Sequence, residues 1–100
     1  MIIVAGTMYF DPADIPAFHL ATLELAGQVR AEDGCLHYAL APDDPRRGTV
    51  SVLEMWRDDA ALKVHLGQPW VTAFLQHFGG KVKELDVKIY DVAGVRPFAL

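Results

Sequence analysis

Cysteine occurs once in the 100 residues, at position 35. A lone thiol forms no internal disulfide and has no second cysteine for a metal or redox pair, so Cys35 is expected to be a small buried filler. Basic side chains are also scarce, nine against thirteen acidic ones, for a formal net charge of -4 with no basic stripe. Nothing in that distribution attracts a phosphate backbone, which removes nucleic acid from the expected partners. No apolar run is long enough to span a bilayer; the opening MIIVAGTMYF stops at Asp11-Pro12 and has no basic leader. The chain therefore reads as cytoplasmic, without membrane contact. Linkers, low-complexity tracts and internal repeats are missing too, so residues 1–100 read as a single domain. The four histidines show neither HxH nor HExxH spacing, Gly79-Gly80-Lys81 lacks the frame of a P-loop, and no GxSxG occurs.

What is present is a chain 52% hydrophobic and 22% charged, which is globular rather than disordered. Residues 2–10, IIVAGTMYF, form a strand apolar on both alternating faces, with Ile2, Val4, Met8 and Phe10 against Ile3, Ala5 and Tyr9. Asp11-Pro12 and Asp14-Ile15-Pro16 each place a side-chain acceptor near a proline, the grammar of a helix start. Ile15, Phe18, Thr22, Leu25 and Val29 then recur at helical spacing as one buried stripe, and Ala31-Glu32-Asp33-Gly34 ends the helix. CLHYALA (35–41) and TVSVLEMWR (49–57) are strands joined as a hairpin through PDDPRRG. Asp58 or Asp59 caps a helix that Gly67 and Pro69 interrupt, after which Trp70, Phe74 and Phe78 continue it to a stop at Gly79-Gly80. Residues 82–92 return as a strand with a single apolar face, Leu85, Val87 and Ile89.

The order β-α-β-β-α-β predicts the split βαβ arrangement, an α+β fold with helices on one face of a four-stranded antiparallel sheet and strands one and three at its centre. Those two strands are apolar on both faces, and a chain of this length has no further element to cover the second. A homodimer pressing sheet against sheet would bury it.

Candidate chemistry gathers in residues 53–74, LEMWRDDAALKVHLGQPWVTAF. Trp56 ends a strand and His65 lies on the inner stripe of the following helix, so both can face the space between helix and sheet. Trp70, Phe74 and Tyr38 can complete an aromatic wall, giving an apolar pocket with few polar groups. Both tryptophans also suit plain core packing, and His65 suits either packing or a general base. His19, His37 and His77 read as surface or packing residues. Glu54, set among valine, leucine, methionine and tryptophan, needs a partner or a proton, and a supporting role toward a backbone amide or a histidine fits it.

An acidic-x-Gly-Cys-x-x-Tyr run from Glu32 to Tyr38, the Glu54-x-Trp56 strand end and Ala61-Leu62-x-x-His65 in the next helix together resemble the antibiotic biosynthesis monooxygenase family. The resemblance covers nearly all of the chain. It implies a ferredoxin-like subunit, a dimeric α/β barrel and, in enzymatic members, oxygenation of quinols or polyphenolic aromatics by O₂ with no metal, flavin or haem. On that footing His65 is the expected base, Trp56, Trp70 and Phe74 walls, Tyr38 a donor to the phenolate and Glu54 a support. Two other readings stay open. One is a non-catalytic, small-molecule-binding dimeric barrel. The lesser one is a haem-degrading relative, which the sequence disfavours: Gly6-Thr7-Met8 stands where such proteins carry a strand-one asparagine, His65 where they carry a tryptophan, and Leu75 near the axial histidine position, with His77 two residues away.

Overall fold

The computed structural model describes all 100 residues. Four strands, β1 (Ile2–Phe10), β2 (Cys35–Asp44), β3 (Thr49–Trp56) and β4 (Val82–Asp91), alternate with α1 (Ile15–Arg30), α2 (Asp59–Leu66) and α3 (Pro69–Phe78). The sheet is antiparallel in the order β2-β3-β1-β4, so the two strands with apolar residues on both faces are central, as their patterning requires. This is the expected α+β, ferredoxin-like βαββαβ fold.

Register decides which residues meet. Ile2, Val4 and Met8 of β1 lie opposite Trp56, Glu54 and Val50 of β3, and Tyr38 of β2 lies opposite Glu54. With a side-chain period of two, these residues share the face that the helices cover. Ile2, Tyr38 and Trp56 pack there with Val29 of α1 and Ala61 and Leu62 of α2; Phe10 and Val50 pack with Ile15, Phe18 and Phe78. The second face, with Ile3, Ala5, Leu53 and Met55 at its centre, carries no helix.

Three details depart from the sequence expectations. The buried stripe of α1 runs through Ala26, while Leu25 is only half-buried; α1 lies against β2, where alanine permits closer approach than leucine. Strand β2 continues past Ala41 through Pro42 to Asp44, since Pro42 sits on an edge strand where its missing N–H interrupts no interior ladder. Cys35 is half-buried at the core's margin instead of inside it.

Candidate functional site

The local sequence of the second helical region explains how the site is placed. Asp58 caps α2, its carboxylate accepting from the Ala61 N–H at 2.9 Å, and Ala61, Leu62 and His65 form the buried stripe. Gly67 closes α2. Gln68 cannot continue it, because the residue before a proline is driven out of the helical region, and it is extended at φ -66° and ψ 135°. Pro69 then opens α3, so His65 lies in the last turn of one helix and Phe74 in the middle of the next.

His65 is 5% exposed and sits among aromatic rings. Its ring lies 4.7 Å from Trp56, 6.2 Å from Tyr38 and 6.1 Å from Trp70, centre to centre. Its Nδ1 meets Glu32 Oε2 at 2.5 Å, and Gln68 Nε2 donates to the other oxygen of the same carboxylate at 3.4 Å. Since a carboxylate only accepts, Nδ1 is assigned the proton.

Glu32 reaches His65 because of the turn after α1. Gly34 has φ +83°, and a Cβ there would meet the Ala61 Cβ at 2.6 Å. Only glycine lets this turn press against α2. The Arg57 N–H donates to the Gly34 carbonyl at 2.8 Å and holds the turn beside the start of that helix.

A cavity of about 250 Å³ lies between sheet and helices. Tyr38, Glu54 and His65 are polar members of its lining, with Phe74, Leu75 and Val52 among the apolar ones. Trp56 is wholly buried and Trp70 packs beside it; neither lines the cavity, and both act on it through the His65 ring they flank. All six residues singled out in the sequence therefore lie within one neighbourhood. His77 does not: it is exposed and packs edge-on against Phe78.

Glu54 takes neither a backbone amide nor a histidine as partner. It accepts the Trp56 indole N–H at 3.0 Å. Burial pushes its carboxyl above the ordinary carboxylate value, while the indole hydrogen bond and the His65 charge pull it back and Glu32 adds to the rise. Tyr38 is shifted upward as well, first by burial and then by the Glu54 charge, so its phenol stays protonated and able to donate at neutral pH. For Glu54 the folded state binds its proton more tightly than the unfolded chain. Its contribution is most favourable below the unfolded value of about 4.5 and is lost as pH rises through the higher folded value. Glu54→Gln keeps an oxygen for the indole and removes the titration. It is expected to melt at a higher temperature than wild type at pH 7, with the difference vanishing near pH 4, as followed by thermal denaturation across pH.

No group of three or more His, Cys, Asp or Glu side chains is arranged to hold a metal ion. No helix is long and apolar enough to cross a membrane.

Sheet order and helix cover define an α+β, ferredoxin-like domain with a histidine at an apolar cavity, and comparison with known proteins gives its family. Residues 1–77 match the family model described as antibiotic biosynthesis monooxygenase, and the chain belongs to that family. It is 33% identical over 85 residues to the "Putative monooxygenase YcnE" of Bacillus subtilis, covering 85% of each. It is 28% identical over 93 residues to protein sll1783 of Synechocystis, of which it spans 63% of the length and which covers 92% of this chain. Among solved structures, a "putative antibiotic biosynthesis monooxygenase" from Deinococcus radiodurans superposes with a TM-score of 0.85 at 25% identity over 99% of both chains. One of the same description from Caulobacter crescentus gives 0.82 at 29% identity, covering 93% of this chain and 90% of that one.

The local sequence marks Glu32 only as a member of a motif. It follows a helix and precedes a glycine, where an acidic residue ordinarily faces solvent. The one signal available was its membership of the Glu32-to-Tyr38 run that carried the family resemblance.

Proposed function

We propose that the protein is a cofactor-independent monooxygenase that oxygenates a quinol or polyphenolic aromatic with O₂ in the cavity between sheet and helices. The observation that carries this reading is His65, buried yet lining an apolar cavity, with one ring nitrogen held by a carboxylate and the other without a partner in the chain. His65 acts as base through Nε2, and the Tyr38 hydroxyl donates to the resulting phenolate. The deprotonated, electron-rich ring then passes an electron to O₂. The radical pair combines at a ring carbon, and the hydroperoxide loses water to leave a carbonyl. For 1,4-dihydroxynaphthalene the balance is one substrate and one O₂ giving 2-hydroxy-1,4-naphthoquinone and one water. The mostly apolar lining, Val52, Phe74 and Leu75 among it, surrounds the radical pair with side chains that water solvates poorly.

Oxygen uptake with a panel of hydroquinones and naphthoquinols, run with ¹⁸O₂, tests the reaction. Uptake above the uncatalysed rate with one labelled oxygen in the product is expected. Thermal stabilisation by a panel member without turnover would instead establish the binding-protein reading. The haem reading finds no support in the geometry, because Leu75 faces the cavity where a helix-borne ligand would be needed and His77 is turned away.

We further infer that two copies pair through the helix-free face of the sheet. Ile3, Ala5, Leu53 and Met55 lie side by side there on the two central strands, an apolar surface unusual for an uncovered sheet. Sedimentation is expected to give twice the chain mass for wild type, and the chain mass for a Leu53→Asp, Met55→Asp double variant.

A further inference from the structure

Outside the cavity, a recess of about 310 Å³ lies on the surface between α2 and the turn that follows α1, lined by Glu32, Asp33, Arg57, Val64 and Gln68. Glu32 is the link between the two spaces. Its side chain is 10% exposed and lines the recess, while its Oε2 holds Nδ1 of His65, which lines the cavity. The cationic neighbour in the recess does not compete for it, because Arg57 is held by Asp33 at 3.1 Å and by Asp58 at 3.4 Å. Glu32 is left to the imidazole and to the Gln68 amide.

We propose that Glu32 is a positioning residue for the oxygenation, fixing His65 in the Nδ1–H tautomer so that the Nε2 lone pair is presented to the substrate. The proposal rests on His65 being the base. A neutral imidazole has one protonated and one free nitrogen, and the partner of one decides the state of the other. An acceptor-only carboxylate on Nδ1 requires the proton there, leaving Nε2 free to take the substrate hydroxyl proton. When Nε2 does so, the O–H bond breaks, the electron pair stays on the substrate oxygen, and the imidazolium is stabilised by the Glu32 charge. The same proton returns to the departing oxygen as water leaves, so the pair ends each cycle as it began.

Three measurements decide the matter. In ¹⁵N-labelled wild-type protein, the neutral His65 ring, identified by the signals missing from His65→Gln, is expected to show a protonated Nδ1 and a bare Nε2; a ring protonated at Nε2 overturns the proposal without any variant. Glu32→Gln keeps the size of the side chain but offers an amide N–H to Nδ1. It is expected to populate the Nε2–H form and to lower kcat with 1,4-dihydroxynaphthalene by about 10²-fold or more while KM changes little. Wild-type tautomer and wild-type kcat in this variant would overturn it. Glu32→Ala opens the position to the recess, and added formate is expected to recover part of the lost rate and restore the Nδ1–H signal; a merely structural glutamate would gain nothing from formate. Should His65→Gln turn over like wild type, the reading of His65 as base fails, while the tautomer measurement still reports on Glu32 alone.

Discussion

Replacing His65 with alanine is expected to lower quinol-dependent oxygen uptake by about 10²-fold or more, the usual worth of a positioned general base. His65 is buried among Trp56, Tyr38 and Trp70, so alanine removes the base and also leaves a hole in the packing. The one side-chain hydrogen bond of His65 is to Glu32, and the backbone bonds its carbonyl accepts at the end of α2 do not depend on the ring. The Glu32 carboxylate left behind keeps the Gln68 amide and its access to the recess, so the charge is not stranded in the core. Stability is expected to fall as well, and circular dichroism on the same sample establishes that the variant assayed is folded. Uptake equal to wild type in a folded variant would remove His65 from the mechanism.

The largest effect on stability is expected from Trp56→Ala. Trp56 is 0% exposed and packs with Ile2, Val29, Tyr38, Ala61 and Leu62, which come from the other central strand, an edge strand and two helices. Removing a side chain of that size from a closed core costs about 3–5 kcal/mol. Domains of this kind hold about 5–15 kcal/mol in total, so much of the margin goes, and the midpoint of urea denaturation is expected to drop steeply. Trp56→Phe separates packing from polarity. It fills most of the space but deprives Glu54 of the indole N–H, the bond that draws its carboxyl back down. A loss of about 1–3 kcal/mol is expected at neutral pH, the cost of a buried acceptor left unpaired. Because Glu54 can take up a proton in place of the lost donor, this loss should shrink in acid.

The fold was legible in the sequence because its signals are local and periodic. Alternation set the strands, three- and four-residue steps set α1, and Gln68-Pro69 divided α2 from α3. The central position of β1 and β3 followed from their two apolar faces. Size favours Leu25 over Ala26 for burial, whereas close approach of a helix to a sheet favours the smaller residue. The site was partly legible. His65, Tyr38, Trp56, Trp70 and Phe74 were grouped by the faces they share, and the structure brings them together. A glutamate among apolar side chains needs a partner, but the bond Glu54 makes, to a residue two positions along the same strand, is a side-chain conformation that spacing does not encode. Glu32 was the hardest to see, since nothing in a short window relates the end of α1 to the end of α2.

The hydrogen bond between Glu32 and His65 joins positions 33 residues apart, across two strands and the hairpin that connects them. Closing a loop of that length carries an entropic cost that is offset only once the enclosed strands have paired and α2 has docked. The Glu32–His65 geometry therefore depends on both strand pairing and helix docking. A chain whose sheet has formed but whose second helix has not docked holds Glu32 without its imidazole partner, so this pair exists only in the assembled fold.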